Sequence, residues 1–436
     1  MKQPSIFREF IKYSSFNVLG MIGLSCYILA DTFFISKGVG ANGLTALNLA
    51  LPIYSCIHGN GLMLGMGGAT KFSILKGQQA SGHTDRLFTN TLYLTALFAV
   101  FFLTAGIFFS APLTRLMGAD SEVFAMTNTY LSVILLFSPA FLLNEVLLCF
   151  VRNDGNPRLS MLAMLGGSLS NILLDYLFIF PLEMGIFGAV LATGFAPLIS
   201  MLLLSRHWWK KQNTFHFKKA KPDFTLVPPI LSLGFPSFLA EIASGIVIIV
   251  YNAILLKIQG NVAVAAYGVI ANLSLVVAAV YTGIAQGVQP LLSRAYGCFD
   301  PVKIRQLLRY TLRTVFAVSI LIYLAVFWFA GPITSVFNSE QNVQLQEIAT
   351  AGLKLYFTSA LFMGTNIVIS IFFTSTDRAL PAHILSLLRG LIVLVPMALL
   401  FSYLAGIQGV WLSFPATEGL VTLLGLLLLK QETLRK

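Results

Sequence analysis

Charged side chains are scarce in this sequence. Only 10% of its 436 residues are Asp, Glu, Lys or Arg, whereas 57% are apolar, and the mean hydropathy is +0.82. Soluble globular domains carry about 25% charged residues, so too little polar surface remains here to cover a water-facing globule. The composition excludes an ordinary soluble protein and indicates one that lies in a lipid bilayer.

Cysteines and nucleotide-binding loops are also lacking. Of the four cysteines, Cys26, Cys56 and Cys149 lie in apolar stretches and Cys298 lies in a basic loop, which argues against a disulfide framework. No G-x4-G-K-[ST] loop occurs, and no polar segment is long enough to hold a nucleotide-binding domain. We therefore expect neither an enzyme nor a resident cofactor, and any transport must draw its energy from an ion gradient.

Apolar stretches, by contrast, are abundant, and twelve of them reach the roughly 20 residues that a membrane helix needs. We predict spans at 11–36, 44–69, 88–110, 124–149, 159–181, 186–206, 229–256, 262–290, 309–331, 347–373, 382–404 and 407–430. The polar stretch 207–228 divides them six and six. It predicts an N-terminal lobe, 1–206, and a C-terminal lobe, 229–436, joined by a cytoplasmic linker.

Basic residues are distributed unequally between the two sides of the predicted membrane. All but four of the 28 Lys and Arg residues lie on one side, and the exceptions are Lys37, Arg115, Lys257 and Lys354. Because basic loops stay in the cytoplasm, we expect a multi-pass protein of a bacterial-type inner (plasma) membrane with both termini cytoplasmic. The net charge of +11 then faces anionic membrane lipids rather than nucleic acid.

An internal repeat relates the two halves. An offset of 220 residues pairs Gly40 with Gly260 and Gly67 with Gly287, and six spans per half keep both halves in the same orientation. The predicted fold is therefore an all-α integral membrane protein of twelve transmembrane helices, arranged as two parallel six-helix repeats that face a central cavity.

Carboxylates within the spans are the main candidates for function. Asp31 and Asp175 lie at bilayer depth, where a charge costs at least about 2.5–3.5 kcal/mol. Asn171 shares a helix face with Asp175 because the two are four residues apart, and Thr193 lies in the next span. Their oxygens suit a proton or a hard cation such as Na⁺, although a purely structural polar cluster is the alternative.

Two further acids lie near the middle of spans in the second half. Glu241 and Glu418 are candidate substrate-cavity residues that would attract cationic compounds, or else partners of Arg389 or Lys354 in ion pairs.

Two residues of the first half receive structural interpretations. Glu145 is expected to form a surface or gate ion pair with its neighbour Arg152, and His58 is expected to be a packed or cavity histidine.

Four segments together resemble one transporter family. GIAQGVQPLLSRAYG (283–297) and GLMLGMGGATKFSILKG (61–77) occupy equivalent places in the two halves, and YILADTFFI (27–35) and SNILLDYLFIF (170–180) surround the aspartates. These segments are similar to those of the MATE family, the multidrug and toxic compound extrusion transporters, and most of all to its bacterial multidrug-exporter branch. In one departure, Phe16 stands where the family often has a proline, so a proline-kink mechanism is not expected.

The resemblance implies a function and a site. It implies a secondary active exporter, an antiporter that couples H⁺ or Na⁺ influx to efflux of amphipathic, often cationic compounds by alternating access. It also implies that Asp31, Asn171, Asp175 and Thr193 form the coupling site, and the same four residues would hold Na⁺. We expect a monomer with small-molecule substrates and lipids as its partners.

Two alternative transporters remain open. A flippase for a lipid-linked precursor belongs to the same superfamily, but such proteins typically place cationic residues in the cavity, whereas the acids dominate here. A major facilitator would also have twelve spans, yet KGQQASGHTDR (76–86) lacks the Gly-x3-Asp-Arg-x-Gly pattern expected there.

Overall fold

The computed structural model describes residues 5–338 and 341–434, and within these ranges all regular secondary structure is helical. Lys2, Arg435 and Lys436, which contribute to the predicted orientation, lie outside the described residues, as do the outermost ends of the two predicted lobes. In chain order the long helices are Ile6–Gly38, Ala41–Gly77, Ser81–Phe108, Phe124–Leu136 with Ser138–Asn153, Pro157–Ile179, Gly185–Leu204, Val227–Gly297, Pro301–Phe337, Val343–Tyr356 with Ala360–Ser375, Ala379–Leu387 and Leu394–Leu434.

These helices make twelve spans, because two of the helices contain a break. Val227–Gly297 is non-helical at Gln259 and Gly260 and holds spans 7 and 8. Leu394–Leu434 is non-helical at Ala405 and Gly406; its first part completes span 11, which starts at Ala379, and the rest is span 12. The other spans are numbered in chain order, and each bent pair counts as one.

The parts on either side of a break pack side by side. The rings of Tyr251 and Tyr267 stack at 5.2 Å across the first break, although 16 residues of straight helix would separate them by about 24 Å. Across the second break, a Cβ atom on Gly425 would lie 3.6 Å from Leu385. Each break is therefore a turn between neighbouring spans, as the twelve-span prediction requires.

The repeated glycines have matching backbone conformations. Gly40 and Gly260 have φ values of 88° and 68°, and Gly185 and Gly406 have 55° and 57°. Each pair begins an equivalent span in the two halves, in a left-handed conformation that glycine adopts without steric cost. The two parallel six-helix repeats predicted from the sequence are confirmed by these turns.

Two spans are less regular than the sequence suggests. Span 4 bends by 48° between Leu136 and Ser138, because Pro139 in the first turn of the second helix lacks the N–H that would continue the first one. Span 10 is interrupted by a 3-10 turn, Phe357–Ser359. Apolar composition alone shows neither break.

Four clusters of buried apolar residues hold the molecule together, two centred on spans 1–6 (the N-lobe) and two on spans 7–12 (the C-lobe). Large apolar side chains such as Phe101, Leu173 and Trp328 are exposed on the outer faces of the spans. Since buried positions of a membrane helix face its neighbours and the others face lipid, these exposed chains are consistent with a bilayer around the molecule.

The lobes meet at one end of the molecule, which we call the basic end because it carries the loops after the even-numbered spans, with residues such as Lys76 and Arg294. A Cβ atom on Gly67 of span 2 would lie 1.8 Å from the Ile230 carbonyl oxygen of span 7, and one on Gly287 of span 8 would lie 2.7 Å from Ser14 Cα of span 1. These two contacts are related by the repeat. The glycines therefore allow the lobes to approach backbone to backbone.

The segment between spans 6 and 7 is docked on the N-lobe. A short helix, Arg206–Trp209, is followed by irregular chain and a 3-10 turn, Phe224–Leu226. Phe215 is fully buried and packs against the N-lobe rings of Phe72, Phe88 and Phe150 and against Trp208 of the linker's own short helix. The linker is thus fixed to one lobe rather than suspended between two, and the exact lobe limits at 206 and 229 stay a prediction.

Candidate functional site

The four predicted coupling residues come together inside the N-lobe. Asp31 of span 1, Asn171 and Asp175 of span 5 and Thr193 of span 6 are all buried. The Asn171 amide donates to the Thr193 hydroxyl over 3.5 Å, and that hydroxyl donates to the Ala189 carbonyl over 3.1 Å. Asp31 and Asp175 face each other as direct electrostatic neighbours. We call these four residues the aspartate cluster.

Small residues on span 1 explain why this cluster can form. A Cβ atom on Gly20 would lie 2.8 Å from the Met164 sulfur, and one on Gly23 would lie 2.5 Å from Leu165 Cδ2. Span 5 therefore packs close to span 1, which brings Asp175 to Asp31. Span 1 is one continuous helix from Ile6 to Gly38, with Phe16 at the position where the family often has a proline.

Several oxygen atoms of the cluster have no hydrogen-bond partner. They are Asp31 Oδ1, Asn171 Oδ1 and both carboxylate oxygens of Asp175, and all are buried. A buried acceptor without a partner costs about 1–3 kcal/mol, and more when it is charged. A proton shared by the carboxyl groups, or a Na⁺ ion among the oxygens, would satisfy these atoms, so the donor set fits either ion.

Three tyrosines that were not predicted from the sequence surround the aspartates. The hydroxyl groups of Tyr27 and Tyr54 form a hydrogen bond of 3.0 Å, and buried Tyr130 neighbours Asp31, Asp175 and Thr193. Tyr27 lies one helical turn before Asp31, so a shared helix face could have indicated it. Nothing in the sequence pattern marks Tyr130, because it reaches the cluster from span 4.

A second polar group lies at the boundary between the lobes. His58 of span 2 faces Glu145 of span 4 at 3.7 Å and Glu241 of span 7 at 3.5 Å. The Glu241 side chain is 37% exposed, as a cavity residue would be. Glu145 does not pair with Arg152 as expected: the two lie about two helical turns apart on span 4, and Glu145 faces His58 whereas Arg152 bonds Asn17 and Gln286.

Arg152 instead contributes to an inter-lobe polar network at the basic end. Its buried guanidinium donates to Asn17 Oδ1 at 2.7 Å and to Gln286 Oε1 at 3.3 Å. Asn153 and Gln289 bond each other at 3.0 Å. Gln286 and Gln289 belong to the segment 283–297 that resembles the MATE family, and their hydrogen bonds tie span 8 to the N-lobe.

Glu418 has a different environment from Glu241. It is fully buried, and Arg389 donates to its Oε1 through Nε at 3.0 Å and Nη2 at 2.8 Å. Asn366 donates to its Oε2 at 2.6 Å. The ion-pair alternative describes Glu418 better than the cavity role does, while the other suggested partner, Lys354, lies over the Phe327 ring.

The inter-lobe hydrogen bonds and ion pairs in the described part of the chain lie between mid-depth and the basic end. They include Lys71 with Asp377 at 2.6 Å and Lys303 with Glu9 at 3.1 Å. These contacts close the space between the lobes at the basic end.

Known proteins share this architecture. The MatE family model matches residues 18–177 and 236–400. The multidrug export protein MepA of Staphylococcus saprophyticus is 26% identical over 98% of this chain and 94% of its own length, and MepA of Staphylococcus aureus strain MRSA252 gives the same values.

Solved structures agree in fold. A multidrug resistance MATE family transporter of the MOP superfamily in an outward-facing conformation superposes with a TM-score of 0.92 at 22% identity, covering 98% of this chain and 96% of that one. A MOP superfamily transporter from Pyrococcus furiosus also gives 0.92 at 22% identity, covering 99% and 97%. With the family model matching most of its length, this chain belongs to the MatE family of membrane transporters.

Proposed function

We propose that this protein is a secondary active multidrug exporter, an antiporter that couples influx of H⁺ or Na⁺ to efflux of amphipathic, often cationic compounds. The observation that carries the proposal is the aspartate cluster, in which two buried carboxylates and an amide present oxygens without partners. Such a group is costly to keep in a membrane unless an ion visits it. The names of the MepA relatives support export of several compounds.

The coupling ion acts through charge. With both carboxylates ionised, Asp31 and Asp175 repel each other in a medium of low polarity. A proton or Na⁺ removes one charge and allows spans 1, 5 and 6 to close around the cluster, and its release reverses this change. One charge that moves inward through about 100 mV yields about 2.3 kcal/mol, which supports a roughly fiftyfold gradient of a neutral substrate.

The rest of the cycle is a rocking of the lobes. We assign the basic end to the cytoplasm, in a bacterial-type inner membrane, with both termini cytoplasmic. The contacts between lobes at that end then close the cytoplasmic side, so this conformation is open to the outside and ready to release a substrate. The protein would work as a monomer, with a path between its own two lobes.

The test is dye efflux from vesicles that contain the purified protein. A pure inward pH gradient and a pure inward Na⁺ gradient are applied in separate experiments, each with ionophores that dissipate the other gradient. Export driven by one gradient and absent without any gradient supports antiport and identifies the ion. Equal dye movement with neither gradient would contradict coupling.

The flippase alternative is not favoured by the structure. The exposed ionisable group at mid-depth between the lobes is the carboxylate of Glu241, whereas an anionic lipid-linked cargo requires cationic groups there. Glu418 and Arg389 neutralise each other inside the C-lobe, so Arg389 offers no free positive charge to such a cargo.

A further inference from the structure

A titratable contact joins the two lobes at mid-depth, apart from the aspartate cluster. His58 Nε2 lies 3.7 Å from Glu145 Oε1, and His58 Nδ1 lies 3.5 Å from Glu241 Oε2. Glu145 belongs to the same lobe as His58, and Glu241 to the other. Both distances suit ion pairs of a protonated imidazole and exceed those of direct hydrogen bonds.

Two glycines next to His58 allow spans 7 and 4 to approach span 2 closely. A Cβ atom on Gly59 would lie 3.3 Å from Glu241 Cβ, and one on Gly61 would lie 3.1 Å from Glu145 Cβ. Larger residues at these two positions would push spans 7 and 4 away. The glycines on either side of Asn60 thus bring one carboxylate from each lobe to the histidine.

Few other titratable groups face the imidazole. On its own helix, the Tyr54 ring stacks on it at 5.9 Å, and the Tyr54 hydroxyl bonds Tyr27 of span 1. From spans 4 and 7 come Glu145 and Glu241. The cation that the two carboxylates face is therefore the protonated form of His58, and a neutral His58 leaves both of their charges uncompensated.

We propose that His58 sets the preference of the cavity for cationic cargo by competing with that cargo for Glu145 and Glu241. This inference rests on the proposed export function. When His58 is protonated, its imidazolium occupies both carboxylates. When it releases its proton to water in the cavity, an organic cation that enters beside the exposed Glu241 takes its place. Acidification that protonates His58 then weakens the binding of cations, while neutral compounds are unaffected.

The test is equilibrium binding to the purified full-length chain in detergent, without any gradient. Ethidium serves as a permanent monocation and Nile red as a neutral dye, both followed by fluorescence between about pH 9.5 and 5.5. We expect the wild-type Kd for ethidium to rise about fivefold or more on acidification, because the imidazolium then shields both carboxylates. The Kd for Nile red should stay within about twofold, since that dye carries no charge.

Variants separate the role of the charge at position 58 from a structural one. His58→Gln should remove the pH dependence of ethidium binding, and His58→Lys, a cation that persists over this pH range, should weaken ethidium binding at every pH. His83→Gln is the matched control, because His83 is exposed in the first turn of span 3, and it should keep the wild-type dependence. His58→Asn replaces His58→Gln if the latter fails to elute as a folded species.

Distinct outcomes contradict distinct claims. If the neutral variant at position 58 retains the wild-type pH dependence, or if Nile red shows the same dependence as ethidium, His58 does not control cargo charge, and the export proposal is unaffected. A wild-type protein that binds neither dye would contradict the proposed cargo class and this inference together.

Discussion

At the scale of single residues, the ionisable groups within the spans differ in whether another group already neutralises them. Glu418 is held by Arg389 and Asn366, so its charge is fixed by the protein. Asp175 has no partner for either oxygen, so its charge is available to an ion from outside. The difference favours a structural role for Glu418 and supports the proposed coupling role of Asp175, although both carboxylates are fully buried.

Asp31→Asn and Asp175→Asn should each reduce gradient-driven dye export by at least about tenfold, because an amide cannot alternate between a protonated and an ionised form, and the driving energy of about 2.3 kcal/mol per charge is lost. Efflux from vesicles with equal protein content measures this. Glu183→Gln, at an exposed turn between spans 5 and 6, is the control and should export normally. Wild-type rates in both aspartate variants would remove the coupling site from the N-lobe.

At the scale of elements, the linker is the segment whose behaviour differs most from its sequence. Its many lysines suggest a free, solvated tether, yet Phe215 is buried in an aromatic cluster. Asp154, at the end of span 4, accepts hydrogen bonds from the Thr214 N–H at 2.8 Å and from His207 at 2.9 Å. Docking leaves only a few residues before span 7 as the hinge between the lobes.

Phe215→Ala should undock the linker. Removing a buried phenylalanine costs about 3–5 kcal/mol, enough to expose the lysines that follow it to trypsin. The measurement is the rate of cleavage between residues 210 and 221 in detergent, compared with Phe224→Ala, whose side chain is 80% exposed. Equal cleavage of the two variants would show that Phe215 does not hold the linker.

The docking should also weaken in acid. Burial of the Asp154 carboxylate acts to raise its pKa, but hydrogen bonds from His207, Lys76 and Thr214 outweigh it and hold the pKa below its ordinary value. The stabilisation is therefore complete above about pH 4 and is lost as the pH falls through the lowered pKa.

Hydrogen exchange at the Thr214 amide, corrected for its intrinsic rate, measures that loss. Protection should decline below about pH 4 in the wild type, where the carboxylate becomes protonated. Asp154→Asn should show lower protection at neutral pH and little further change. Protection that persists unchanged in this variant would exclude the carboxylate as the anchor.

At the scale of the whole molecule, one conformation is selected by contacts at the basic end. Gly67 touches Ile230, Gly77 touches Arg294, and Gly287 touches Ser14, each through backbone atoms. Backbone atoms in such contacts cannot move aside as a flexible side chain can. A single methyl group added at one of these glycines should therefore disturb the closure at the basic end.

Gly67→Ala should therefore shift the lobes apart at the basic end, since the new Cβ atom would lie 1.8 Å from the Ile230 carbonyl oxygen. Electron–electron distance measurements between spin labels at Gln79 and Phe299, in a background without the four cysteines, should show a longer population. Gly331→Ala, where nothing lies within 4 Å, is the matched control. An unchanged distance distribution in Gly67→Ala would show that this contact does not govern closure.

The orientation in the membrane is a further prediction at this scale. A single cysteine at exposed Lys219 should resist an impermeant maleimide added to intact cells and react after permeabilisation, because basic loops stay in the cytoplasm. A cysteine at exposed Gln341, in the loop after span 9, should react in intact cells. The opposite pattern would reverse the assigned direction of transport.

The sequence by itself determined the features that depend on local composition. Twelve apolar stretches specify twelve spans, because each helix satisfies its own backbone hydrogen bonds in the bilayer. The matching positions of glycines in the two halves indicated the repeat. A turn with positive φ, as at Gly40 and Gly260, favours glycine, so equivalent turns carry glycine in both halves. The spacing of Asn171 and Asp175 placed them on one helix face.

Only the tertiary structure decided which distant groups meet. Glu145 faces His58 rather than Arg152, and Glu418 forms its ion pair with Arg389 rather than Lys354. Phe215 of the linker is buried against the N-lobe. These outcomes depend on how helices rotate and pack against one another. A sequence pattern states which face of a helix is polar, but the packing of all the spans determines what that face contacts.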